Sequence, residues 1–171
     1  MLLESGTDLH SFHASVKDNS KGSSCGLLLY GGGESYKWFE NALESAQNKD
    51  WRTNKRMEFL GVTIKEEENV EGMQESGHGH EDEDEKEYDE HVWTSLRNAS
   101  VICGIIAETL EEMDPENKDV YASNAAAYQE KLSNLDTEYQ NTVDSAKQNT
   151  PLFADRFAFR YMVDESGLNY Y

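Results

Sequence analysis

Leu27-Leu28-Leu29-Tyr30-Gly31-Gly32-Gly33-Glu34-Ser35 carries the strongest signal of fold class in the chain. Its first four residues form a short continuous apolar run, which suits a strand buried on both faces in a parallel sheet. Three glycines stop the run. Ser35 is then placed to cap a helix whose Trp38, Phe39 and Leu43 fall on one face. A strand, a glycine turn and a helix in succession predict an α/β fold, a parallel sheet flanked by helices. Ligands of such folds lie in the crevice beyond the carboxyl ends of the strands.

Outward from this stretch the pattern is uneven. Residues 1–20 read as a short strand end and a loop, because Leu2-Leu3 gives way to Gly6, Thr7, Asp8 and two histidines, His10 and His13. Residues 48–56 are polar, and Met57-Glu58-Phe59-Leu60-Gly61-Val62 is the candidate second strand. Residues 74–93 then gather three of the five histidines, His78, His80 and His91. Within them, residues 81–90 carry eight acidic side chains and one lysine. A His-Gly-His followed by a carboxylate run buries no apolar face, so 74–90 is expected to be a solvated loop. Neutral imidazole is the commonest metal ligand, and a dense negative field concentrates divalent cations. The loop alone reads equally well as metal handling or as an acidic surface with incidental histidines.

The second half is periodic. From Thr94, the residues Ala99, Ile102, Cys103, Ile106, Leu110 and Met113 recur at spacings of three and four, the mark of an amphipathic helix. Asp114-Pro115 ends it and starts the next, with Asp114 as N-cap and Pro115 at the first helical position. The second helix is predicted to run to about Lys147, with Tyr121, Ala125, Tyr128, Leu132, Leu135, Tyr139 and Val143 as its stripe. At about 1.5 Å per residue it is a rod of roughly 50 Å, long enough to join two lobes. After Thr150-Pro151, Leu152-Phe153-Ala154 reads as a strand, residues 157–165 as a helix, and Leu168-Asn169-Tyr170-Tyr171 as the opening of another strand. The expected division is a partial N-terminal lobe over 1–113, a linking helix over 114–148 and the start of a C-terminal lobe over 149–171. A chain that stops within an apolar strand is expected to be an incomplete copy.

Composition narrows the function. The 171 residues carry a formal charge of −19, with a pI near 4.5. That balance argues against nucleic acid and against anionic membrane surfaces as partners. No apolar run approaches a bilayer span, and the first residues show no basic or hydrophobic leader. Cys103 lies on an apolar helical face as an expected buried free thiol, and Cys25 in a Gly/Ser-rich turn; spacing leaves a bridge between them undecided. No His-Glu-x-x-His occurs, and no Ser or Cys has a recognisable base beside it in sequence.

Three segments in order carry a resemblance: Gly6-Thr7-Asp8-Leu9-His10-Ser11-Phe12, Tyr30-Gly31-Gly32-Gly33-Glu34-Ser35 with Trp38, and Asp89-Glu90-His91-Val92-Trp93 with Asn98-Ala99. Together with the Asp114-Pro115 helix bearing Asn124 and Tyr128, the chain resembles the zinc- and manganese-specific solute-binding proteins of bacterial ABC transporters. The resemblance implies that His10 and His91 are metal ligands and that His78 and His80 belong to a mobile loop that captures zinc. It implies a non-catalytic, monomeric, extracytoplasmic protein that hands a divalent metal ion to a membrane permease. Two imidazoles and a histidine-bearing loop favour zinc over manganese.

The chain also departs from that pattern. The family's third ligand is usually a histidine two positions before an Ala-Phe-x-Tyr segment. Here Ala158-Phe159-Arg160-Tyr161 matches the segment, but the position is Arg156, whose guanidinium cannot bind zinc; Asp155 stands beside it. The fourth ligand, an acidic residue of the C-terminal lobe, falls beyond Tyr171. Two other classes compete with the importer component. A low-affinity metal buffer would use the loop alone. A zinc hydrolase would need an open coordination position and a base, for which only Glu34 or Asp155 can be offered.

Overall fold

The computed structural model describes residues 15–31, 52–55, 64–66, 88–153 and 157–170. The fold is α/β, with a small parallel sheet and several helices, one of them long. The chain divides into two compact units, Met1–Glu58 and Phe59–Tyr171.

In the first unit, α1 spans Val16–Ser24. Ser15 and Asp18 build a reciprocal cap at its start. The Asp18 N–H donates to Ser15 Oγ at 3.3 Å, and the Ser15 N–H donates to Asp18 Oδ2 at 3.1 Å. The Ser15 hydroxyl also donates to Asp18 Oδ2 at 2.6 Å, and this bond, followed by that from the Ser15 N–H, holds the Asp18 carboxyl below its ordinary pKa. The loop expected over residues 1–20 therefore gives way to a helix from residue 16. Its signal was the Ser-x-x-Asp spacing.

Strand β1, Leu27–Tyr30, pairs in parallel with β2, Arg52–Lys55, with Leu27 opposite Arg52 and Tyr30 opposite Lys55. The Arg52 N–H extends the pairing by donating to the Gly26 carbonyl at 2.9 Å. Leu28 is buried while Leu29 is 42% exposed, so β1 is covered on one face rather than both. The described second strand falls in the segment read as polar. Backbone pairing, which any side chain permits, outweighed its weak apolar content. The candidate strand at 57–62 and the helix capped by Ser35 lie outside the described residues.

The second unit is built on two helices, α2 (Leu96–Met113) and α3 (Lys118–Ser145). They run antiparallel. Arg97 meets Asp136 at 3.3 Å, Gln129 Nε2 donates to the Ser100 carbonyl at 2.9 Å, and Cys103 Sγ lies 4.0 Å from the Ala125 carbonyl. Ile102, Ala107 and Leu132 are buried on the facing stripes. Gly104 lets the helices close up, since a Cβ there would lie 3.2 Å from Gln129 Nε2. Cys25 and Cys103 are not joined by a disulfide, and Cys103 is half-buried rather than fully buried.

At the corner, Asp114 is not the cap of the long helix itself. Pro115–Asn117 makes a separate 3-10 turn, and α3 begins at Lys118 with Asn117 as its N-cap. Asp114 Oδ2 instead accepts from Asn117 Nδ2 and from the Tyr121 hydroxyl, each at 2.9 Å. With 28 residues, α3 is a rod of about 42 Å, somewhat shorter than the sequence suggested. Val120, Tyr128, Leu135 and Tyr139 of α3 remain exposed. No helix among the described residues is long and apolar enough to cross a membrane.

No strand forms at 149–153 or at 168–170. Leu152 is 95% exposed, and the aromatic side chains stack on one another instead. Phe153 lies 5.0 Å from Phe157 and 5.3 Å from Phe159, and Phe157 lies 4.9 Å from Tyr170. The last helix, α4, is Arg160–Ser166 and starts three residues later than expected. It ends on Gly167, whose φ of 69° lets the Leu168 N–H reach back to the Val163 carbonyl at 2.9 Å.

Candidate metal centre

His91 is placed by a sharp local structure. The 3-10 turn Val92–Thr94 follows it directly, and the His91 carbonyl accepts from the Thr94 N–H at 3.0 Å and from the Thr94 hydroxyl at 2.9 Å. Ser95, almost wholly buried, then caps α2 by accepting from the Asn98 N–H at 3.0 Å. Asn98 Nδ2 returns to the Val92 carbonyl at 3.2 Å. Val92 is completely buried, as is Val163 of α4, and α4 packs on this turn. The apolar core therefore fixes the backbone immediately after the histidine.

The imidazole is fixed from the other side. Asp89 Oδ1 lies 2.8 Å from His91 Nδ1 and also accepts the His91 backbone N–H at 2.8 Å. Asp89 and Glu90 are 5% and 6% exposed, so a buried carboxylate supports a histidine that is itself part-exposed. In the neutral ring that contact places the proton on Nδ1 and leaves the lone pair on Nε2, the arrangement of a metal-binding histidine. Trp93 leans on the ring, with centroids 5.6 Å apart at 55°.

A second layer holds Asp89. The Tyr161 hydroxyl donates to the Asp89 carbonyl at 2.9 Å and accepts the Lys65 N–H at 3.0 Å. Burial, more than the nearby Asp89 charge, pushes the Tyr161 phenol above its ordinary pKa, so it stays a donor. Asp89 and Tyr161 are the side chains supporting His91 that the sequence reading quoted only within longer motifs. The Asp-x-His spacing was the available signal for the first, because a carboxylate two positions before a histidine can fold back on Nδ1.

Of the candidate metal ligands and bases named from sequence, only His91 lies among the described residues. His10, His78, His80, Glu34, Asp155 and Arg156 all lie outside them. Among the described residues, no group of three or more His, Cys, Asp and Glu is arranged around a common point. Among the described residues the candidate centre is represented by one oriented imidazole, that of His91.

A family model for ZnuA, the zinc-uptake complex component A, periplasmic, matches residues 1–171. The chain belongs to the ZnuA family. Among its relatives is the zinc-binding lipoprotein AdcA of Streptococcus pneumoniae strain R6, 29% identical over 170 residues, 98% of this chain. The manganese ABC transporter substrate-binding lipoprotein PsaA of the same species is 34% identical over 146 residues, covering 80% of this chain and 41% of PsaA. The crystal structure of Zn(II)-bound AdcA from S. pneumoniae superposes with a TM-score of 0.77 at 27% identity, covering 99% of this chain and 32% of that one. The metal-dependent lipoprotein YcdH of Bacillus subtilis shares the fold, with a TM-score of 0.78 at 24% identity over 99% of this chain and 56% of YcdH. This ZnuA-family chain spans about a third of the length of AdcA, 32% of it.

Proposed function

We propose that this chain serves as the zinc-binding component of an ABC-type metal importer, working outside the cytoplasm and delivering the ion to a membrane permease without catalysing a reaction. The observation that carries this reading is the contact between Asp89 and His91 Nδ1 at 2.8 Å. A carboxylate on one ring nitrogen directs the lone pair of the other and raises its basicity, as zinc-ligating histidines require. Family membership and the zinc-binding relatives support the same ion.

In this reading His10 and His91 form the core of one tight site, and His78 and His80 add weak binding. Zinc is favoured over manganese because imidazole suits the softer ion, whereas manganese prefers carboxylate and water. The lobe over 1–113 carries the site, 114–148 joins it to a second lobe, and 149–171 opens that lobe. Gly77 and Gly79 flank His78, so ordering the loop on a metal costs about 1–2 kcal/mol per residue, which keeps loop binding weak.

Equilibrium dialysis with zinc separates the readings. The full chain should hold one tight ion and further weak ones, and deletion of residues 76–87 should remove only the weak ions. Loss of all binding on that deletion would replace the importer reading with a metal buffer. Zinc-dependent turnover of an ester or phosphate substrate would replace it with a hydrolase.

A further inference from the structure

Two chain segments that converge beside His91 share one buried hydroxyl. Tyr161 is 3% exposed, and its oxygen spends its only proton on the Asp89 carbonyl at 2.9 Å while accepting the Lys65 N–H at 3.0 Å. The Asp89 N–H donates across to the Lys65 carbonyl at 2.9 Å, and Glu66 and Tyr88 pair as an antiparallel bridge. The neighbours of Tyr161 on α4 grip the same junction: Arg160 donates to the Glu66 carbonyl, and Asp164 accepts from Lys65 Nζ. Residues 64–66 and 88–89 are thus clamped by α4, at the point where Asp89 turns its carboxylate onto His91.

We propose that Tyr161 is the positioning residue for His91, acting through Asp89. The proposal rests on the reading of His91 as a metal ligand. An imidazole binds zinc well only when its lone pair points one way, and here the Asp89 carboxylate sets that direction. The carboxylate is fixed in turn by its own backbone, whose N–H goes to Lys65 and whose carbonyl goes to Tyr161. Phenylalanine at 161 would keep the ring in the core but leave the Asp89 carbonyl and the Lys65 N–H without the shared hydroxyl. Relaxation of those groups toward water would release the carboxylate and let the imidazole sample both tautomers. The segment after α3 would in this way tune a ligand that precedes α2, with no atom of Tyr161 on the metal.

The test is Tyr161→Phe in the full chain, with zinc as the probe. Calorimetric titration should show the tight phase about tenfold weaker, or ~1.4 kcal/mol. Nitrogen-15 imidazole spectra of the zinc-free protein should show His91 as one tautomer protonated at Nδ1 in the unmutated chain and as a mixture in the variant. A packing role alone would lower the melting temperature and leave the tautomer untouched. A weaker tight phase with an unchanged tautomer therefore overturns the proposal, as does an affinity within about twofold of the original. If the variant does not fold, amide exchange in the unmutated protein decides: saturating zinc should slow the Lys65 amide by about fivefold or more, and unchanged exchange overturns the proposal. His91→Ala separates the two levels. A tight phase that survives His91→Ala defeats the parent reading, whereas one that His91→Ala removes and Tyr161→Phe leaves intact defeats the Tyr161 proposal alone.

Discussion

One oxygen of Asp89 meets His91 twice, accepting its backbone N–H and lying against Nδ1, each at 2.8 Å. Such a double contact fixes both the ring plane and the chain direction of the histidine. Because the Asp89 side chain is only 8% exposed, its charge is little screened by water. Asp89→Ala should therefore weaken the tight zinc phase by about 10- to 100-fold while leaving α2 and α3 folded. Calorimetry with a parallel circular-dichroism melt checks this. A full-strength tight phase in the variant would remove Asp89 from the account.

Acid should loosen the corner between α2 and α3. Hydrogen bonds from the Asn117 side chain and from Tyr121 hold the Asp114 carboxyl below its ordinary value of 3.8. A depressed carboxyl stabilises the fold above its unfolded pKa, and that contribution is lost as pH falls through the lower, folded value. Tyr121 behaves conversely. Its phenol is raised above 10.0 by the bond to Asp114, so its contribution is present below that pH and fades as pH rises further. Melting temperatures followed from about pH 6 to about pH 2 should fall less steeply for Tyr121→Phe than for the unmutated chain. Superimposable slopes would show that the corner contributes nothing to acid sensitivity.

Gly167→Ala tests the stop of α4. With φ at 69° and no atom within 4 Å of the added Cβ, the whole penalty is in the backbone. A loss of about 1 kcal/mol in chemical denaturation is expected, with Gly167→Asn costing less because asparagine tolerates the left-handed region. Equal stability of all three chains would place the α4 terminus outside the cooperative unit.

The two long helices were legible because periods of three and four persist over many residues, from Ala99 to Met113 and from Tyr121 to Val143. Short elements were not. The helix after Ser15 has only a cap to announce it, and Arg52-Thr53-Asn54-Lys55 becomes a strand by pairing with β1, which no local pattern encodes. Leu152-Phe153 and Leu168 looked strand-like because apolar content does not distinguish pairing from stacking. There the rings of Phe153, Phe157, Phe159 and Tyr170 meet one another. At the candidate site, the pairing of Asp89 with His91 lies within one short motif, but Tyr161 reaches Asp89 across 72 positions of sequence. A contact of that range is set by the fold and leaves no spacing to read.

Under the proposed reading, Arg156 occupies the position at which the resemblance expects a third histidine. A fixed positive charge about 4 Å from zinc costs about 1 kcal/mol in water and several times more in a partly buried cleft. Arg156→His should tighten zinc binding at least tenfold, about 1.4 kcal/mol. The gain should fade near about pH 5 as the new imidazole protonates. Unchanged or weaker binding would mean that position 156 does not face the metal.

Whether His91 is a ligand of the one tight zinc site is decided by isothermal titration of His91→Ala beside the unmutated chain. The tight phase should disappear, and the weak phase proposed for His78 and His80 should remain. A tight phase of unchanged affinity and stoichiometry in His91→Ala would contradict that ligand role.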